Sequence, residues 1–330
     1  MDLLGRRTLL LGAAGAGLVA TWPTLAQPKL PGVAKLVVGF PAGGSIDAVA
    51  RRLADSLRAV VADTVIVDNR PGAGGRIAID ALRRAPADGE QWLITPGSML
   101  VIYPHVYKKL NYDPQRDLLP VAQIADVPLA LAVGPGAPAS VVDVPSYIAW
   151  VKSGAATHGV IGTPAAGNIT HFLAFLIGKS GGFSPQYVPY RGSAPAINDL
   201  LGGQIPAVVN PLTETLPHLP SGKLRVLGVT ARQRSGFLPQ VPTFVEQGHP
   251  TVVGSEWMGM FARPDTPAPL VQRMAAGVRD ALKTPAVLES LQKLALEPAG
   301  TDGPRLARRI GEELAGWREV SRVFGFQLDE

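Results

Sequence analysis

Two glycine-rich stretches carry the residue types best suited to hold a small molecule. FPAGGSID (40–47) follows an apolar run, and GTPAAGNITHF (162–172) repeats the same plan further along the chain. Each sets a strand pattern before a glycine loop and a helical pattern after it. A glycine turn that opens a helix leaves backbone N–H groups unpaired, with the positive end of the helix dipole behind them. Phosphates and carboxylates both suit such a place. In the first loop the candidates are Phe40, Gly43, Gly44, Ser45 and Asp47; in the second they are Thr163, Gly167, Asn168, Thr170 and His171. Gly43 and Gly44 are expected to let the backbone approach a ligand and to supply positive φ, which suits valine badly. Ser45 either donates its hydroxyl to the ligand or caps its own helix. Asp47 favours the helix dipole yet would repel an anion, which points to a structural role or to a ligand amine. His171 either donates to the ligand or satisfies local backbone, while Asn168 and Thr170 are donors that also serve as caps.

Spacing tells against nucleotide chemistry. A P-loop needs G-x-x-x-x-G-K-[ST], and the position five before Gly178-Lys179-Ser180 is Leu173. The dinucleotide fingerprint fails after Gly72-Ala73-Gly74, where Ile77 stands in place of the last glycine. The G-x-S-x-G spelling at Gly178-Lys179-Ser180-Gly181-Gly182 follows a helical run instead of a strand, so it forms no nucleophile elbow; H-E-x-x-H is absent, and no catalytic machinery is legible. There is no cysteine, and His105, His158, His171, His218 and His249 are far apart, so neither a metal nor a cofactor is expected. RPGAGG (70–75) reads either as a third anion loop with Arg70 or, better, as a tight turn that only glycine permits. The opposed loops 40–47 and 162–172 therefore predict a ligand with acidic ends.

The elements around these loops alternate in kind. KLVVGF (35–40), TVIVDN (64–69) and QWLITP (91–96) read as strands. Between them, Ile46, Val49, Ala50, Leu53 and Leu57 share one helical face, and Ile77, Ala81 and Leu82 are expected to face inward on the next helix. This alternation predicts a parallel sheet with helices on both faces. Near 121–133 the chain runs apolar, as a crossing into a second βα series would. TVVGSEWMGMFARP (251–264) reads as the return, with Trp257 as hinge packing. The expected organisation is an α/β clamshell: lobe 1 over 27–127 and 252–330, an inserted lobe 2 over 128–251, and two crossings. Leu306, Ile310, Leu314 and Trp317 mark a closing amphipathic helix.

Composition and the first residues bound the setting. The chain is 330 residues, 46% hydrophobic and 17% charged, a compact rather than a disordered profile. Its net +5 is scattered, with no basic stretch interleaved with aromatics, so nucleic acid is not an expected partner. Residues 1–26 have a basic pair, a short apolar run and small residues before Ala26-Gln27, the layout of an export signal. The apolar run is shorter than the roughly 20 residues that span a bilayer. Arg6-Arg7 followed by Thr-Leu-Leu fits a twin-arginine signal, with the general secretory route the alternative. A periplasmic, monomeric protein with no membrane-inserted segment in its mature chain is expected.

VVGFPAGGSIDAVAR, VDNRPGAGG, NYDPQRDLLPVA, VPYRGSAPAINDLLGGQI, GKLRVLGVT and PTFVEQG together resemble the Bug-type extracytoplasmic solute receptors, which are associated with tripartite tricarboxylate transporters. The resemblance implies a type II periplasmic-binding-protein fold and a carboxylate held between the two loops, largely by backbone amides and ordered water. It also implies a membrane permease as partner. Departures are Ala42 in place of a proline, Thr170 and Phe172 after the second loop, and Asn210 where the family often has an acid. Asn210 thereby joins the expected ligand contacts. A ligand-sensing partner of a membrane kinase and an enzyme on the same two-lobed scaffold are the rival functions.

Overall fold

The computed structural model describes residues 32–58 and 60–329; the export-signal reading of 1–26 falls outside the described residues. The first lobe begins with β1 (Val33–Val38), α1 (Ser45–Leu57), β2 (Thr64–Asn69), α2 (Arg76–Arg84), β3 (Gln91–Pro96), α3 (Ser98–Val101), α4 (Tyr103–Val106) and β4 (Leu119–Val127). The second contains β5 (Leu129–Val133), α5 (Val144–Ser153), α6 (Ala155–His158), β6 (Val160–Thr163), α7 (Ile169–Gly181), β7 (Gln186–Pro189), α8 (Ser193–Leu201), β8 (Ala207–Pro211), α9 (Leu212–Thr215) and β9 (Arg225–Val229). The chain then returns through β10 (Glu256–Ala262), α10 (Ala268–Ala281), α11 (Pro285–Lys293), β11 (Glu297–Pro298) and α12 (Gly303–Phe324).

Two sheets result, in the orders β11-β4-β10-β3-β1-β2 and β7-β6-β8-β5-β9. Both are mixed rather than purely parallel. β1 pairs in parallel with β2 and β3, but β10 runs antiparallel between β3 and β4. Likewise β6 is parallel to β7 and β8, while β5 is antiparallel to β8 and β9. The central strands are mostly apolar because helices cover both faces, with Thr95, Gln123 and Asn210 as buried polar exceptions. Leu36, Val37 and Val38 are each fully buried.

Helical periodicity explains the covering layer. In α1, Ile46, Val49, Ala50, Leu53 and Leu57 are buried while Arg51, Arg52 and Asp55 face solvent. In α2 the inward residues are Ala78, Ile79 and Leu82; Ile77 is 48% exposed, contrary to expectation. It lies in the first turn, where its Cδ1 sits 2.5 Å from the place a Cβ on Gly72 would take. The face of α12 behaves as its pattern predicts, with Leu306, Ile310, Leu314 and Trp317 buried.

A single residue, Pro128, separates β4 from β5, so the forward crossing is short. The return passes Gly254 and Ser255 into β10. Arg309 of α12 braces both crossings: it pairs with Asp126 at 2.7 Å and donates to the Ser255 hydroxyl at 3.2 Å. Glu313 holds Arg309 at 2.7 Å and accepts the Trp257 indole N–H at 2.9 Å. Trp257 is fully buried at this junction.

The lobes are linked a third time, beyond the two crossings. The helix α12 starts beside β4, yet its end packs on lobe 2, where Phe324 meets Phe172, Phe175 and Tyr187. Residues 325–329 then turn back to lobe 1, with Leu328 N–H donating to Val106 O at 2.7 Å and Lys108 N–H to Leu328 O at 3.0 Å. The end of the span 252–330 thus belongs to both lobes. One apolar core accordingly runs through the hinge, joining Val37 and Leu93 to Leu131 and Phe172.

Candidate ligand cleft

The first loop is shaped from within. β1 ends at Val38, and Gly39 then passes so close to Gly75 that a Cβ would lie 2.8 Å from its Cα and its carbonyl oxygen. This is the role of RPGAGG: Gly72, Ala73, Gly74 and Gly75 all hold positive φ and form a compact bed under the loop. Arg70 is paired with Asp68 at 2.8 Å, which tells against a third anion loop. Phe40, half-buried, packs against the core that runs through the hinge and against the separate core of lobe 1.

Gly43 and Gly44 differ. Gly43 takes φ +90, whereas Gly44 is extended at φ −76, ψ 169, so the expectation of positive φ holds only for Gly43. Gly44 is the N-cap of α1, and no side chain caps this helix. Ser45 is therefore the first helical residue and not a cap, because the cap position has already been taken. The first-turn N–H groups of Ser45 and Ile46 precede the first backbone bond of the helix, from Ala48 N to Gly44 O. Open space surrounds the loop: a Cβ on Gly43 meets nothing within 4 Å, and one on Gly44 meets only Pro41 O at 3.8 Å.

Asp47 works inside the protein. Its Oδ2 accepts Gly43 N–H and Arg51 Nε, each at 2.9 Å, and its Oδ1 accepts Asn69 Nδ2 at 2.9 Å. Asn69 also donates to Phe40 O at 3.1 Å. Asp47 is thus corrected from a ligand contact to a latch for the glycine turn, since both oxygens are spent. Burial pushes its carboxyl upward, but the bonds from Arg51, Gly43 and Asn69 outweigh burial and hold it below the ordinary value.

The second loop is closed by different means. Asn168 caps α7, its Oδ1 accepting His171 N–H at 3.1 Å and the Thr170 hydroxyl at 2.8 Å. Thr163 donates to Ala165 O at 3.3 Å. His171 is buried, and its Nδ1 accepts Gly167 N–H at 3.1 Å, which leaves the ring proton on Nε2. Burial lowers its pKa to about 4, so the ring is neutral. Tyr187, Phe324 and Phe326 pack edge-on around it at 4.7–5.0 Å. Gly167, at φ +71, lies under Leu328 and Phe326, which a Cβ would meet at 3.0 and 3.3 Å. The side chains of Thr163, Asn168, Thr170 and His171 therefore shape this loop. The donors left over are backbone N–H groups at the start of α7.

Asn210 lies on β8, beside β6 in the sheet. It is fully buried, and neither Oδ1 nor Nδ2 has a partner. Sequence reasoning missed two acids nearby in the fold. Glu214, one turn beyond Asn210, has an Oε2 that is buried without a partner. Glu256, at the start of β10, accepts Ser98 N–H at 3.2 Å, the Ser98 hydroxyl and its own neighbour's N–H at 2.9 Å. Burial pushes its carboxyl up to about 7 despite these bonds. Neither acid sits in a motif, so only long-range packing reveals them.

A cavity of about 770 Å³ opens at the hinge between α12 and the start of α7, bordered by Asp126, Pro128, Ile169, Arg232, Arg309 and Trp317. Its deep-set charge, Arg309, is already neutralised by Asp126 and Glu313. Loop 40–47, with an uncapped helix start and open space over Gly43 and Gly44, and the buried, unpartnered Asn210 present the polar groups that the folded chain leaves unpaired.

Comparison with known proteins agrees on one kind of molecule. Residues 49–325 match the family described as the tripartite tricarboxylate transporter family receptor. Protein BugT of Bordetella pertussis is 33% identical over 318 residues, covering 96% of this chain and 95% of its own. The Rhodopseudomonas palustris protein Rpa4515, solved with adipate, superposes with a TM-score of 0.80 at 30% identity, covering 89% of this chain and 98% of the other. MatC of the same organism, solved with malate, gives 0.75 at 26% identity, covering 88% and 98%.

Proposed function

The chain belongs to the tripartite tricarboxylate transporter receptor family, a family of extracytoplasmic solute receptors rather than enzymes, and from that premise we propose that it captures a small organic carboxylate between its lobes and delivers it to a membrane permease. The observation that carries this reading is the uncapped start of α1 facing open space beside two glycines. Hydrogen bonds to a charged group contribute about 1.5–3 kcal/mol each, so two or three such amides give useful affinity. Ser45 adds its hydroxyl, and the opening turn of α7 supplies the opposing donors. Phe40 forms an apolar wall, and Asn210 meets the ligand from the floor. That two relatives hold malate and adipate, both dicarboxylates, supports the same class of cargo here.

The twin-arginine route is part of the proposal. Replacing Arg6-Arg7 by two lysines is expected to block export, and unchanged secretion of that variant would assign the general route instead. The mature protein is proposed to act as a monomer. Isothermal titration against mono-, di- and tricarboxylates, amino acids, pyridine carboxylates and nucleotides tests the ligand class. Tight nucleotide binding with no response to any acid would overturn it. Partner capture with the permease, against capture with a sensor kinase, tests delivery.

A further inference from the structure

The end of β8 and the short helix α9 that follows it hold polar groups that the folded chain leaves unsatisfied. Asn210 is fully buried with both side-chain polar atoms unpartnered, and Glu214 Oε2 is shielded from solvent without a donor. A buried polar atom without a partner is costly, and native proteins rarely keep several together unless something completes them. These groups also lie where the lobes meet. Asn210 pairs across the sheet with Ala130, two residues beyond Pro128, the residue that crosses between lobes. Leu212 N–H donates to Pro128 O at 2.9 Å, and the Thr213 hydroxyl donates to Leu294 O of lobe 1 at 2.6 Å. The span 210–214 therefore lies at the junction of the lobes, on and just after the strand next to β6.

Resting on the carboxylate reading above, we infer that Asn210 and Glu214 form a second pole of the site, which reads a hydrogen-bond donor carried by the ligand, so that the cargo is an amino- or hydroxy-substituted carboxylate rather than a plain diacid. The chemistry of the pair favours a donor. Asn210 Oδ1 and Glu214 Oε2 are acceptors, whereas Asn210 Nδ2 is the only donor side of the pair. A ligand carboxylate is acceptor-only and would be repelled by Glu214; it belongs at the helix starts. An ammonium group satisfies both acceptors at once, whereas a hydroxyl group donates to one of them and accepts from Asn210 Nδ2. Burial alone raises the Glu214 carboxyl above its ordinary value, and a ligand cation would reverse that tendency.

The test is titration calorimetry of the full exported chain with succinate, malate and aspartate, which differ only in carrying no donor, a hydroxyl or an ammonium. Malate or aspartate is expected to bind at least tenfold more tightly than succinate. Preference for aspartate assigns an ammonium, and preference for malate a hydroxyl. Glu214→Gln and Asn210→Leu, each checked for an unchanged circular dichroism spectrum, are expected to cut that ratio at least fivefold, because malate and aspartate lose more affinity than succinate. A purely structural role would weaken all three ligands alike and keep the ratio. Equal binding of the three by the unaltered protein overturns the second pole while the carboxylate reading stands. Failure of every acid, these three and the wider panel, overturns both.

Discussion

The two glycine loops follow one sequence plan yet are held in opposite ways. Loop 40–47 is latched by a charged network, Asp47 with Arg51 and Asn69, and stands in open space. Loop 162–172 is held by a neutral histidine and an asparagine cap, with Phe326 and Leu328 pressed over Gly167. Its helix start is partly used by the cap, whereas that of α1 has no side-chain cap. One loop therefore keeps donors to spare; the other is a buttressed wall. A polar latch tolerates solvent but is bound to its charges, while an aromatic buttress resists distortion but cannot accept a proton.

The largest effect should fall on the buttressed loop. Gly167→Val forces a β-branched residue to φ +71 beneath Leu328 and Phe326. Backbone strain of about 1–3 kcal/mol adds to overpacking of similar size, so stability should fall by more than about 3 kcal/mol and binding should be lost. A variant that melts and binds like the original would remove the claim that this wall is rigid.

Acid should separate the loops next. The folded-state pKa of His171 is depressed from 6.5 to about 4, so its neutral form stabilises the fold fully above pH 6.5. That contribution is lost as pH falls from 6.5 through 4, and it amounts to about 3 kcal/mol. Asp47 is also depressed, from 3.8, so the first latch fails only at lower pH. Hydrogen exchange followed from pH 7 to 4 should open residues 162–172 before 40–47. The reverse order would mean that the neutral His171 does not hold its loop.

A smaller effect sharpens the role of the open loop. Gly44→Ala is sterically free and needs no unusual φ, so melting should hardly change. The methyl group would crowd a carboxylate approaching the α1 amides, and loss of about 2.7 kcal/mol, or a hundredfold in Kd, is expected. Unchanged affinity would make 40–47 only a turn. Ser45→Ala should cost least, about tenfold in Kd, with stability moved by less than about 0.5 kcal/mol because Ser45 is not the cap.

What the sequence disclosed was mostly periodic. The buried faces of α1 and α12 and the strand–loop–helix plan of both glycine loops were legible because local spacing dictates them. Ile77 was misread because the first turn of a helix can leave an apolar residue outside the core. Gly44 was misread because a glycine's type does not reveal its φ; only the neighbouring backbone selects it. The latch role of Asp47 depends on Asn69, and the setting of His171 depends on Phe324 and Phe326, far along the chain. Pairings at such separation leave no local pattern, and the same holds for the orphaned Asn210 and Glu214.

The position of β10 in the middle of the first sheet has a kinetic consequence. It lies between β3 and β4, although it is separated from both by the whole second sheet in the chain. Closing that gap carries a large loop-entropy cost, which slows pairing. The second sheet also joins distant strands, β5 to β8 and β9, but over shorter gaps than those that separate β10 from β3 and β4. It should nucleate first and act as the tether that shortens the effective loop for β10. Pulse-labelled exchange during refolding should then protect amides of 129–229 before those of β3 and β4, and simultaneous protection would refute this order.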